Sequence, residues 1–354
     1  MKIVSLQFIL AFLLLTCSGP IQVADHAYEI PAAPDFKGEI IEKYKLSAMP
    51  LSDAIILDSS QTAWRGAKGE ILVFNHQLKE ETKRIEGKKT IDAVAYTPAD
   101  FYWTEVDISK RYVRFAAESG KEVWRIEGKP TAAGPAVLDS LVFFPAVNGE
   151  INAVNIDSAK SIWTTRLDGR IFLDPLIVND HLLVITDMGH IFSLSAESGK
   201  ENWKYSLGQP ILTRKIQDGI AFLGTFQGDM VAFDLTQQEV LWQVPTDHQV
   251  RNQPLVIDST VFWANTGGDL YRINAHSGEF KQIQSLRIPL SGVPVETNSG
   301  ILLAGEDKLL YHLDKVTGEI LSKTEFDGRL RSTPLFIQNS WFIAIEDRWL
   351  YEVQ

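Results

Sequence analysis

A turn residue followed four positions later by tryptophan recurs along this 354-residue chain. The clear copies are Gly120–Trp124, Ala159–Trp163, Gly199–Trp203 and Gln238–Trp242. Their turn positions lie about 40 residues apart, a period typical of propellers and solenoids. The register continues at Gly278 and Gly318, where Gln282 and Ser322 replace the tryptophan. The repeat therefore predicts one unit of supersecondary structure repeated around or along a single domain.

Two further columns keep the same period. A proline opens a short apolar run in five units, at Pro135, Pro175, Pro254, Pro294 and Pro334, and Lys215 occupies the remaining slot. A turn glycine follows in four of these six units, at Gly149, Gly189, Gly228 and Gly268. Each unit reads as four β-rich runs separated by Asn, Asp, Gly and Ser turn residues. This pattern predicts an all-β chain built from four-stranded antiparallel propeller blades.

The turn positions also predict the number of blades. They lie near residues 38, 80, 120, 159, 199, 238, 278 and 318, which delimits eight blades, although the first two lack the tryptophan and seven blades is the alternative. The last unit stops after its third strand, at 349–354. Residues 39–46 align with the fourth strand of the Gly199 unit, so we expect them to supply the missing strand and close the ring, which removes exposed sheet edges. The predicted propeller domain is 38–354.

The N-terminal residues indicate export. Residues 1–16 contain a short apolar run after Lys2, too short to span a bilayer and typical of a signal peptide. Cys17, the only cysteine, follows directly and resembles a bacterial lipoprotein processing site. We therefore expect a lipid anchor on Cys17, with ordinary secretion as the alternative, and a tether over residues 17–37. The net charge of −11 disfavours nucleic acid and anionic membrane surfaces as partners, so the only expected membrane attachment is the lipid.

The unit from Ala196 to Trp203 resembles the repeat of the pyrroloquinoline-quinone (PQQ)-type propellers, as does the unit from Glu118 to Trp124. In that family the outer-strand tryptophan packs between neighbouring blades, because it buries a large apolar area and its ring NH can reach a backbone carbonyl. The resemblance implies this structural role for four residues: Trp124, Trp163, Trp203 and Trp242.

Two branches of the family imply different functions. The quinoprotein dehydrogenases bind PQQ and calcium, and many carry a vicinal disulfide, which is impossible here because no cysteine follows Cys17. The other branch is similar to the BamB-like lipoproteins, which are eight-bladed, non-catalytic scaffolds of outer-membrane β-barrel assembly. That resemblance implies a periplasm-facing outer-membrane lipoprotein without a cofactor, whose partner is the barrel-assembly pore. A PQQ- or anion-binding propeller, with oxidoreductase activity as one possibility, is the alternative.

The sequence contains no recognisable catalytic or metal-binding motif. Its seven histidines lack metal-ligand spacing, and there is no Gly-x-Ser-x-Gly, P-loop or dinucleotide-binding motif. We therefore predict no catalytic residue and no metal ligand.

One column of basic residues precedes the proline column. We expect it to lie in the loops that enter each blade and to form a broken arginine ring on one face, since these loops and the turns between second and third strands open on the same side. Arginine among apolar residues is typical of protein-binding hot spots. The predicted partner-binding residues are Arg170, Ile211, Leu212, Arg214, Arg251, Arg329 and Arg331. The alternative is that these arginines only pair with nearby aspartates, namely Asp168, Asp174, Asp247 and Asp327.

Overall fold

The computed structural model describes residues 36–50, 53–86, 91–97, 99–105 and 110–354, with only the backbone for residues 91–93. The predicted signal peptide (1–16), Cys17 and the tether as far as residue 35 lie outside the described residues. Within the described part of the chain, no helix is long and apolar enough to cross a bilayer.

The described residues form eight antiparallel sheets of four strands each, so the chain is an eight-bladed β-propeller. The strand that closes the ring comes first, β1 (Ile40–Lys45). Blades 1 to 4 contain β2 (Ile55–Ile56), β3 (Gln61–Arg65), β4 (Glu70–Asn75), β5 (Glu80–Glu86); β6 (Ile91–Tyr96), β7 (Asp100–Glu105), β8 (Arg111–Ala116), β9 (Glu122–Glu127); β10 (Ala136–Leu138), β11 (Leu141–Pro145), β12 (Glu150–Asn155), β13 (Ser161–Arg166); β14 (Leu176–Val178), β15 (His181–Ile185), β16 (His190–Ser195) and β17 (Glu201–Ser206). Blades 5 to 8 contain β18 (Ile211–Gln217), β19 (Ile220–Thr225), β20 (Asp229–Asp234), β21 (Glu239–Pro245); β22 (Leu255–Ile257), β23 (Thr260–Ala264), β24 (Asp269–Asn274), β25 (Phe280–Ser285); β26 (Val295–Glu296), β27 (Ile301–Ala304), β28 (Leu309–Leu313), β29 (Ile320–Glu325); β30 (Leu335–Ile337), β31 (Ser340–Ile345) and β32 (Trp349–Val353).

The ring closes as the sequence predicts. β1 pairs antiparallel with β32, and the eighth sheet has the order β1-β32-β31-β30. The amides of Lys37 and Glu39 both donate to the carbonyl of Gln354, at 3.0 and 3.1 Å. The aromatic ring of Phe36 packs edge-on against that of Trp341, with ring centroids 6.3 Å apart. The eight-blade prediction is confirmed and the seven-blade alternative is wrong.

The turn that precedes each outer strand has one residue in the left-handed region. Positive φ angles occur at Gly38, Lys79, Gly120, Ala159, Gly199, Gln238, Gly278 and Gly318. Glycine adopts this conformation without steric cost, and at two of these positions a tryptophan side chain gives a second reason for glycine. A Cβ on Gly199 would lie 2.4 Å from the Trp163 ring, and one on Gly278 would lie 2.5 Å from the Trp242 side chain. The tryptophan of one blade therefore covers the turn of the next.

The tryptophan column joins neighbouring blades. The ring NH groups of three of its members cross the seam to a backbone carbonyl of the next blade: Trp124 to Ile156 (2.7 Å), Trp163 to Ala196 (2.9 Å) and Trp242 to Ala275 (2.8 Å). Trp203 packs against Phe233 of the next blade, with ring centroids 6.2 Å apart, but its NH donates to no described residue. Each of the four tryptophans therefore contacts the next blade.

Two seams without tryptophan are held by a different hydrogen bond. Gln284 donates to the carbonyl of Gly318 at 2.8 Å, and the Thr324 hydroxyl donates to Gly38 at 3.1 Å. Both residues stand two positions after the tryptophan slot, where Thr165 makes the same contact with Gly199 at 2.7 Å. Polar side chains therefore supply a link between blades where the indole is missing.

Candidate protein-docking face

The loops that enter the blades and the turns between second and third strands lie on one side of the ring. In seven blades the turn amide donates to a carbonyl of the entering loop: Ala67 to Met49, Val147 to Pro130, Asp187 to Arg170, Phe226 to Pro210, Thr266 to Gln249, Glu306 to Pro289 and Glu346 to Arg329. The corresponding turn of blade 2 falls outside the described residues. We call the surface formed by these loops and turns the connector face.

Arg170 lies on the connector face and is held in place by Asp187. Its backbone amide and its Nε donate to the two Asp187 carboxylate oxygens, at 2.7 and 2.8 Å. Burial raises the pKa of Asp187, but the hydrogen bonds from Arg170 outweigh that effect and hold this pKa below its usual value. The guanidinium carbon lies 5.2 Å from the centroid of the Phe172 ring, a cation–π geometry.

Two of the predicted partner-binding arginines, Arg170 and Arg331, form ion pairs with a turn of the same blade rather than with the aspartates of their own loops, which was the alternative. Arg331 pairs with Glu346 of the following turn, as Arg170 does with Asp187. Asp168 instead contacts Lys204, at 3.5 Å. Arg251 donates to the side-chain oxygen of Gln249 at 2.9 Å, and no described carboxylate forms an ion pair with Arg251 or Arg329.

The segment predicted as the loop entering blade 5 is a strand. Ile211–Gln217 is the inner strand β18, and its register places Lys215 opposite Phe222. In other blades a proline stands at this slot, and the inner strand starts only after it because proline has no amide hydrogen to donate. Lys215 has that hydrogen, so the strand starts several residues earlier.

This correction changes the roles of three predicted partner-binding residues. Ile211 is 5% exposed and belongs to the buried core between blades 4 and 5, so it offers no surface to a partner. Leu212 is half-buried. Arg214 donates to the backbone carbonyl of Asp174 in the preceding blade. Arg214 thus links two blades, whereas Arg170, Arg251, Arg329 and Arg331 are exposed on the connector face.

Three large apolar side chains are exposed on the connector face of blades 4 and 5. Phe172 is 42% exposed, and Met188 and Phe226 are each 51% exposed. Phe172 lies in the loop entering blade 4, and the other two lie in the turns of blades 4 and 5. We call Arg170, Phe172, Met188 and Phe226 the Phe–Met patch. The sequence reading missed Met188, although an apolar residue between Asp187 and Gly189 at a turn was a visible signal.

The loop entering blade 5 joins the turns of blades 4 and 5 that carry Met188 and Phe226. Leu207 donates its amide to Gly189 of the first turn at 2.9 Å, and Phe226 of the second turn donates to Pro210 at 3.0 Å. The contact is close, since a Cβ on Gly189 would lie 2.0 Å from the carbonyl oxygen of Gln209.

Among the residues that the structure describes, no group of three or more His, Cys, Asp or Glu side chains could hold a metal ion.

The fold and its repeated columns define the chain as an eight-bladed β-propeller whose repeat resembles that of the PQQ-type propellers. The family model described as "Outer membrane protein assembly factor BamB" matches residues 109–216 and 211–282. The crystal structure of BamB from Moraxella catarrhalis superposes with a TM-score of 0.72 at 16% identity, covering 89% of this chain and 99% of that one. The crystal structure of a computationally designed protein, Ika8, superposes with a TM-score of 0.74 at 12% identity and covers 90% of this chain and 99% of that one, so likeness of this kind shows the fold alone.

Curated relatives carry the same family name. The BamB of Burkholderia pseudomallei is 24% identical over 235 residues, which is 59% of each chain. That of Nitrosomonas eutropha is 26% identical over 170 residues, 46% of this chain and 41% of the relative. That of Escherichia coli is 26% identical over 208 residues, 54% of this chain and 50% of the relative. The chain spans about half the length of the curated relatives that it matches. The predicted resemblance to the PQQ-type repeat propellers, and among them to BamB, is confirmed.

Proposed function

We propose that this protein is a non-catalytic assembly factor for outer-membrane β-barrel proteins and that it acts by protein–protein contacts through its connector face. The relatives are named as outer-membrane protein assembly factors, which supports a site at the Gram-negative outer membrane, facing the periplasm. The proposed partner is the barrel-assembly pore, and the proposed membrane attachment is a lipid on Cys17. The observation that carries the docking surface is the Phe–Met patch.

The composition of the Phe–Met patch suits a protein interface. Aromatic residues, methionine and arginine are enriched in interfaces, and clustered exposed apolar side chains on a soluble domain commonly mark interaction sites. Arg170 is already oriented by Asp187 and by Phe172, so less side-chain entropy is lost when a partner binds. On the partner we expect an apolar surface that accepts the two phenyl rings, with an acceptor for the remaining guanidinium hydrogens.

A pull-down from detergent-solubilised envelopes tests the proposal. The variant Phe172→Ala/Phe226→Ala removes the two rings from the connector face. Truncating interface anchors commonly costs about 2 kcal/mol or more each, so recovery of the barrel-assembly pore should fall at least about tenfold. The matched control is Leu78→Ala/Val316→Ala, which removes two apolar side chains that are 63% and 60% exposed in turns on the opposite face.

Comparing the two variants distinguishes an effect specific to the connector face from the effect of removing any two exposed apolar side chains. The control should recover the pore as the unmodified protein does. If the Phe172→Ala/Phe226→Ala variant also recovers the pore undiminished, the proposed docking surface is wrong. If the unmodified protein recovers no pore, the proposed partner is wrong.

A further inference from the structure

A cavity of about 370 Å³ lies on the connector face at blades 6, 7 and 8, away from the Phe–Met patch. Its lining comes from the loops that enter these blades and from the turns of blades 6 and 7, and it includes Arg251, Asn252, Thr266, Ser291, Glu306 and Arg331. The volume falls at the lower end of the range for small-molecule pockets, about 300–1,000 Å³. A ligand of metabolite or dipeptide size therefore fits.

The backbone around this cavity is fixed by hydrogen bonds that do not involve a ligand. Asn252 donates its side-chain amide to Leu290 at 3.1 Å, which ties the loop of blade 6 to that of blade 7. Its carbonyl accepts the ring NH of the buried Trp263 at 2.6 Å. The amide of Glu306 donates to Pro289 at 3.0 Å. The cavity is thus preformed, which reduces the entropy lost on binding.

The charges in the cavity point to one class of ligand. Arg331 is paired with Glu346, so the charges left for a ligand are those of Arg251 and Glu306. These two opposite charges line the same cavity, yet neither forms an ion pair with a described residue. The Nε of Arg251 is held by Gln249 at 2.9 Å, and its terminal NH groups stay available to a carboxylate.

We propose that this cavity binds a zwitterionic ligand of amino-acid or dipeptide size, with its carboxylate at Arg251 and its ammonium group at Glu306. Charge-assisted hydrogen bonds at both ends favour such a ligand over a simple anion, because Glu306 repels a second negative charge. The hydroxyl of Thr266 offers a further polar group at the wall. This binding is a separate activity of the connector face and does not depend on the docking role proposed above.

Dialanine is a suitable probe, with three comparison ligands. N-acetyl-dialanine lacks the ammonium group, dialanine amide lacks the carboxylate, and inorganic phosphate is an anion without a cationic end. Backbone amide shifts of the folded protein, followed by NMR during titration, report binding and its position. For about eleven heavy atoms we expect a dissociation constant on the order of 1 mM. The saturable shifts should fall on Asn252, Thr266 and Ser291.

Single substitutions test the contacts to the two ends of the ligand independently. Arg251→Met and Glu306→Gln should each weaken dialanine binding at least about tenfold, because each removes a charge-assisted hydrogen bond. The matched control is Arg329→Met, an exposed arginine of the connector face outside the cavity lining, which should bind dialanine as the unmodified protein does. Thermal unfolding of all three variants checks that the propeller is intact.

The proposal is overturned if dialanine at 20-fold the expected dissociation constant, roughly 20 mM, causes no saturable shift at the cavity. It is equally overturned if the acetylated, amidated and unmodified dipeptides bind alike, or if phosphate binds more tightly than dialanine. Equal binding by Arg251→Met, Glu306→Gln and the Arg329→Met control would also overturn it.

Discussion

The seam between blades 5 and 6 allows a quantitative test of the tryptophan column. Trp242 is 7% exposed and donates its ring NH to the carbonyl of the buried Ala275 at 2.8 Å. Trp242→Phe keeps most of the ring area but removes the donor. Leaving a buried acceptor without its partner costs about 1–3 kcal/mol, and the smaller ring leaves a void that costs about 1 kcal/mol. The expected loss in the free energy of unfolding is therefore about 2–4 kcal/mol.

Trp203 provides the matched comparison at the same position of the preceding blade. It is half-buried and its NH donates to no described residue, so Trp203→Phe removes no hydrogen bond across the seam. Its cost should stay near the packing contribution alone, about 1 kcal/mol. Equilibrium unfolding in urea, followed by far-UV circular dichroism with an unchanged m-value, gives both numbers. A Trp203→Phe variant that loses as much stability as Trp242→Phe would refute the hydrogen-bond argument.

Two further predictions concern a turn and a buried histidine. Gly278→Ala and Gly208→Ala both place a methyl group on a residue with positive φ, 72° and 77° respectively. The methyl group at position 278 would lie 2.5 Å from the Trp242 side chain, whereas nothing lies within 4 Å of the one at position 208. Gly278→Ala should therefore cost at least about 1 kcal/mol more in urea unfolding, and equal costs would contradict the packing of that ring on the turn. Burial lowers the pKa of His76 to about 4, so the stability that its neutral ring contributes is present above pH 6.5 and is lost as the pH falls towards 4. Between pH 7 and pH 4 the unmodified protein should lose about 2–3 kcal/mol more than His76→Gln, and parallel pH profiles of the two proteins would contradict this assignment.

Most of the fold could be predicted because the same pattern of strands and turns recurs in successive units of the sequence. The same turn recurs in every blade, with a left-handed residue even where the residue is Lys79, Ala159 or Gln238. Closure by residues 39–46 was readable because that segment matches a fourth strand while the last unit has only three. Each of these inferences depends on comparing units, and for that reason the first two units, which lack the tryptophan, left seven blades as the alternative.

The candidate site was harder to predict because side-chain partners do not follow the period. Arg170 and Asp187 are 17 residues apart in sequence, and only the packing of a loop on a turn brings them together. The segment before Lys215 was wrongly predicted as a loop because the lysine in the proline slot was given no structural meaning. In physical terms it restores a backbone donor, which lengthens the strand and moves Ile211 into the core.

The pairing of β1 with β32 has a consequence for synthesis of the chain. The hydroxyl of Tyr44 donates to Glu352 at 2.6 Å, a contact between residues 308 positions apart. Strand β1 therefore cannot pair until β32 has been synthesised, and a product that ends before Trp349 has no partner for β1. Such a fragment would keep an open sheet edge at the eighth blade, and open edges pair with other chains and lead to aggregation. Closure of the ring thus distinguishes a chain that contains β32 from one that ends before it.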